Sequence, residues 1–224
     1  MFNRLQKIGA WSGLLSSLGM LLSYLIVGFA YRGRIGEGFS LANHFVSELG
    51  EVGISELAWL FNAALVIGGL GILLSFIALA SYLHGWFRWL VLVLGLITGV
   101  SATLVGFFPM NQLEIHISIA LAFFNTGWMV TGAFSFYVLF AKQSRFPKWL
   151  AIPGMIAAVA FIAFSTYNDS FMDSFRDGTS SLSEILGAAR PAFWGLAALE
   201  WVVVLAVLLW VALVSAVMLT QEEM

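Results

Sequence analysis

Six stretches of apolar sequence, at about 9–31, 54–82, 86–108, 114–141, 147–167 and 191–219, leave this chain few ways to fold. A helix needs about 20 apolar residues to cross the hydrocarbon core of a bilayer, and each stretch meets that length. No water reaches the backbone there, so each stretch must satisfy its own N–H and C=O groups, as helices do. The fold class that follows is all-α: a polytopic membrane protein, a bundle of six transmembrane helices forming one integral membrane domain over 1–224.

Composition removes several function classes. Of 224 residues, 61% are hydrophobic and 10% charged, against about 25% charged in soluble domains. Ten Lys plus Arg and a net charge of −2 leave no basic surface to hold a nucleic acid against counterion competition. With no cysteine there are no disulfides, thiolate metal sites, cysteine nucleophiles or sulfur-linked lipids, so any metal must use His, Asp or Glu. The opening MFNRLQK has the charged flank of a signal peptide. Its apolar core is longer than the roughly 7 to 15 residues such peptides carry, and it reads as a retained first span.

Lys and Arg collect in cytoplasmic loops. Arg4, Lys7, Arg88, Lys142, Arg145 and Lys148 fall on the side of the N-terminus; Arg32, Arg34, Arg176 and Arg190 fall opposite. Both termini are therefore expected in the cytoplasm, and the two long loops outside. Tyr82, Trp86, Trp89 and Trp149 mark the inner edge of the spans, Tyr31, Trp59, Tyr167 and Trp194 the outer. Gly68, Gly69 and Gly71, Gly95 with Gly99, and Gly127 with Gly132 offer close helix packing. Pro153 is expected to kink or loosen the fifth span. ISELAWLFNAALVIGG (54–69) and ISIALAFFNTGWMVTG (117–132) match without a gap at Ile, Ser, Phe, Asn and the last Gly, as a repeated hairpin or chance would give.

The polar groups concentrate on the outer side. Taken as a short helix, 40–49 places Leu41, Phe45 and Leu49 on one arc with Glu48 at its edge and His44 beside Glu48. Such a helix either lies on the membrane surface with its charges solvated or forms a lid over a pocket. Asn111 and Glu114 have the form of a capping box opening the fourth span, and His116 follows in its first turn. Glu200 is the least expected charge: with the sixth helix starting at Pro191 it lies about 13 Å along it. At that depth it must face the bundle, be protonated, or pair with Arg32, Arg34 or Arg190. Asn62 and Asn125 either bridge helices or orient a ligand.

These residues carry a resemblance. His44 before SELG (47–50), Phe61-Asn62, Phe108-Pro109 with Asn111, and His116 resemble the six-span membrane family known as domain of unknown function 998. The resemblance spans nearly the whole chain in topology and implies a fold, not an activity. Glu48 and Asn111 stand where that family more usually has Asp.

Three functions compete. An intramembrane hydrolase of a membrane lipid or similar amphiphile would use His44, Ser47, Glu48 and His116 as catalytic groups. His44, Glu48, His116 and Asp169 would then hold a divalent ion such as zinc that activates water. It is similar in outline to ceramidase-like membrane hydrolases, which use three histidines where only two here lie outside. A carrier or binding protein for a lipid or small molecule would orient a headgroup with Asn62, Asn125, Arg190 and Glu200. A complex subunit would meet a homo-oligomer or a membrane partner protein through its outer loops.

Overall fold

The structure, a computed structural model, describes residues 2–176 and 190–221, with side chains over 4–167 and 190–221. Six long helices form among the described residues: α1 (Phe2–Ala30), α2 (Ala58–Ala80), α3 (Trp86–Phe107), α4 (Leu113–Phe140), α5 (Ala151–Arg176) and α6 (Gly195–Thr220). Each contains a segment long and apolar enough to cross a membrane. The chain is an integral, multi-pass membrane protein, and the spans expected from hydropathy hold to within a few residues at most ends.

Each helix packs against its neighbours in sequence, and α6 closes back onto α1, so the six form a ring. Across the middle, α2 and α6 touch only lightly. Small residues set the wall spacing. Gly69 leaves no room for a Cβ against Thr103 of α3, Gly95 none against Phe76 of α2, and Gly127 none against Phe161 of α5. Gly132 is the exception, since a Cβ there would meet only Ala158, at 3.9 Å. Pro153 sits in the first turn of α5, where its missing N–H is one the helix would not have used, so no kink is required.

The two ends of the ring differ. At one end the connections are tight, and the Arg88 guanidinium closes α2 by donating to the carbonyls of Ala80, Ser81 and Leu83 at 3.1–3.2 Å. At the other, residues 31–57 fold over the ring as a lid. The expected α-helix at 40–49 is instead a turn followed by a 3-10 helix over Val46–Gly50. It does not lie on the surface, for His44, Glu48 and Leu49 are all buried.

Candidate functional site

The lid is held by its own buried charges. Glu48, 1% exposed, accepts the N–H of Phe45 three residues back at 2.7 Å, which draws the chain into the 3-10 turn. Arg190, just ahead of α6, donates both guanidinium nitrogens to the same carboxylate, at 2.8 and 2.5 Å. A buried carboxylate is tolerated when its lone pairs are filled in this bidentate way. The Tyr31 hydroxyl adds a longer contact of 3.5 Å. Burial opposes the Arg190 charge, but Glu48 outweighs it and holds the Arg190 pKa above its ordinary value.

Residues 42–46 are stitched to the start of α6 as well. The Trp194 N–H donates to the carbonyl of Ala42 at 2.8 Å, and the Asn43 amide donates to the carbonyl of Pro191 at 2.8 Å. Trp201 Nε1–H donates to the carbonyl of His44 at 3.1 Å. Glu200 accepts the N–H of Val46 at 2.7 Å. Among the described residues no arginine pairs with it: Arg190 holds Glu48, Arg34 holds Glu51, and Arg32 donates to the Tyr31 carbonyl. Because α6 starts at Gly195 rather than Pro191, Glu200 lies only about 7.5 Å along it.

His44 is 2% exposed, packed against the rings of Tyr31 and Phe39. The Asn43 amide is oriented by its bond to Pro191, so its Oδ1 faces His44 Nδ1 at 2.8 Å. The Ser40 N–H also points at Nδ1, at a longer 3.3 Å. Among the described residues His44 Nε2 is buried with no hydrogen bond, 3.7 Å from a Glu37 oxygen. Burial pushes the His44 pKa below its ordinary value. The expected His44–Glu48 contact does not form; Glu48 turns to Arg190 instead.

Two asparagines anchor the lid to the ring. Asn62 of α2 donates to the carbonyl of Gly50 at 2.9 Å, and Gly50 lies so close that a Cβ would strike Asn62 and Phe61. Asn111 takes both backbone groups of Val52, accepting its N–H at 2.7 Å and donating to its carbonyl at 2.9 Å. No side chain caps α4, so Asn111 clamps the lid rather than opening a helix. Asn125, matched to Asn62 in the sequence echo, is exposed on the outward face of α4 and takes no part.

Beneath the lid, the ring encloses a cavity of about 80 Å³. Its walls are apolar residues of α1, α2, α3, α4 and α6, including Phe61, Phe76, Phe124 and Val207. Polar groups gather where the lid meets it: Ser47, His116 and Glu200 all line it. The His116 ring is oriented by donation from Nδ1 to the Phe108 carbonyl at 2.8 Å, which leaves Nε2 as its unused nitrogen. The Ser47 hydroxyl points at Met110 Sδ at 3.6 Å.

The family model described as "Protein of unknown function (DUF998)" matches residues 17–217. The chain belongs to this family. No curated protein and no solved structure matches it. The short motifs that suggested DUF998 all lie at the lid end, where each has a contact: Glu48 with Arg190, Asn62 with Gly50, Asn111 with Val52, and His116 with Phe108.

The expected zinc site is overturned. Among the described residues no group of three or more His, Asp or Glu side chains could hold a metal ion. His44 packs within the lid while His116 lines the cavity, and the Glu48 oxygens are taken up by Arg190 and the Phe45 N–H. Asp169, the fourth candidate ligand, has its side chain outside the described residues. Sequence reading missed Asn43, Tyr31 and Trp201, although two of them adjoin His44 and Glu200 directly.

Proposed function

We propose that this DUF998 protein binds a membrane amphiphile without chemically altering it, seating one acyl chain in the central cavity and its polar head against Ser47, His116 and Glu200. The observation that carries this reading is the shape and chemistry of the cavity. Its lining on α6 alone runs from Glu200 to Val211, roughly 16 Å of helix at 1.5 Å per residue. A space so long for a volume of about 80 Å³ is narrow, the form of a single chain rather than a compact solute. Ligand sites typically pair apolar walls with a few placed polar groups, and here Ser47, His116 and Glu200 sit at the lid end with Thr98 deeper along α3.

The lid favours binding over hydrolysis. A nucleophile needs a base within hydrogen-bonding reach, and the Ser47 hydroxyl points at Met110 while His116 is turned to Phe108. The Lys and Arg distribution supports a lid facing away from the cytoplasm, so that the amphiphile comes from the outer leaflet. Mass spectrometry of organic extracts from purified protein tests the reading. An amphiphile in substoichiometric or greater yield is expected, with less on Glu200→Gln, whose amide presents a headgroup with a different set of donors and acceptors. Extracts free of amphiphile, or equal yields from the variant, would overturn it.

A further inference from the structure

A second apolar depression lies on the outside of the ring, and one side chain lines both it and the cavity. It is a groove of about 320 Å³ between α1 and α6, walled by Leu21, Leu25 and Gly28 on one side and Trp201 and Leu205 on the other. Phe39 and Leu41 of the lid roof it. Both flanks present apolar side chains outward: Leu22 is 58% exposed, Phe29 84% and Val202 49%. On two membrane-spanning helices such surface faces lipid, so its apolar walls match an acyl chain of the surrounding bilayer.

Tyr24 belongs to both spaces, lining the groove on one side and the cavity on the other. Its ring is wedged between Phe61, with centroids 4.9 Å apart, and Trp201, at 6.2 Å. A ring held by side-chain contacts of this kind reorients on its side-chain torsions without moving the backbone. Among the described residues no other side chain is shared by the two linings.

We infer that the groove between α1 and α6 is a lateral portal through which a single acyl chain passes from the bilayer into the cavity, with Tyr24 as its gate. The inference rests on the cavity being a chain-binding site. It adds that exchange is sideways, within the membrane, and that the lid over 31–57 need not open. An acyl chain thereby stays out of water along the whole path, avoiding the cost of exposing its methylenes.

The test uses the full chain in lipid nanodiscs, mixed with vesicles of phosphatidylcholine carrying a diazirine near the end of one acyl chain, then irradiated at intervals. Adducts are mapped by mass spectrometry, and both the rate and the final yield of labelling at cavity residues such as Phe124 and Val207 are read. Gly28→Leu fills the groove without a clash, since a Cβ there meets only Phe39, at 3.7 Å. It should slow cavity labelling roughly tenfold, about 1.4 kcal/mol in barrier, toward an unchanged final yield. Leu205→Trp obstructs the other wall and should do the same; Tyr24→Ala should speed labelling. Cavity labelling in the parent protein at rates that none of the three variants changes would overturn the portal and leave chain binding standing. Absence of cavity adducts in the parent at saturating lipid would overturn both.

Discussion

Arg190 grips Glu48 with two parallel hydrogen bonds, of 2.8 and 2.5 Å, across 142 residues of chain. The pair joins the 3-10 turn of the lid to the start of α6, and both side chains are nearly inaccessible. Removing one partner strands the other charge, which typically costs about 3–5 kcal/mol. Arg190→Ala should therefore destabilise the folded protein by about 3 kcal/mol, measured by thermal unfolding in detergent. Arg190→Lys should recover little, because an ammonium cannot reproduce the fork. The double variant Glu48→Gln with Arg190→Met should be more stable than Arg190→Ala. Equal stability of the parent and Arg190→Ala would show that the pair does not hold the lid.

His44 makes the lid sensitive to acid. It is buried beside Tyr31, Glu37, Glu48 and Arg190, and burial holds its pKa below the ordinary imidazole value. The folded state then binds the proton less readily than the unfolded chain, so stability is complete above about pH 6.5 and falls as pH drops through the lower folded value. Glu51 has the opposite sign: burial raises its pKa against the pull of Arg34, so its contribution declines as pH rises. Unfolding temperatures of the parent and His44→Gln, compared between pH 5 and 7, isolate the histidine. The parent should lose stability toward pH 5 more steeply than the variant; parallel curves would refute the assignment.

Gly50 is required by proximity rather than by an unusual backbone angle. A methyl group there would strike Asn62 and Phe61, and forcing extra volume into a packed contact costs about 1–3 kcal/mol. Gly50→Ala should loosen the lid, seen as faster hydrogen exchange over residues 46–52, while α3 and α5 exchange as before. Asn62→Ala should have a similar effect by leaving the Gly50 carbonyl unpaired. Unchanged exchange in both would mean that the lid is held elsewhere.

Hydropathy and charge made the six helices legible, because membrane insertion is a local property that each segment carries alone. Pairing is not local, and there the reading went astray. Glu200 was expected to seek an arginine and found the Val46 N–H; Arg190 lay nearer in sequence but was held by Glu48. Asn111 carried a capping signature five residues from His116, yet its partner is Val52, 59 residues away. The echo between the second and fourth spans placed Asn62 and Asn125 in matching registers, but the ring turns one toward the lid and the other outward. The short helix over 40–49 gave way to a 3-10 turn because Glu48 bonds back to the Phe45 N–H. The distant partners among these could not be chosen until the ring had brought the segments together.

The cavity under the lid is the feature on which the functional reading depends, and native mass spectrometry of the purified protein measures its contents directly. Ala120 lines that cavity with a small side chain, so Ala120→Phe should fill the space from within. The parent protein is expected to carry an added mass in the range of a single membrane amphiphile, and Ala120→Phe to lose it while unfolding at a similar temperature. A parent protein without bound mass, or a filled variant that retains it in full, would contradict a chain-binding cavity.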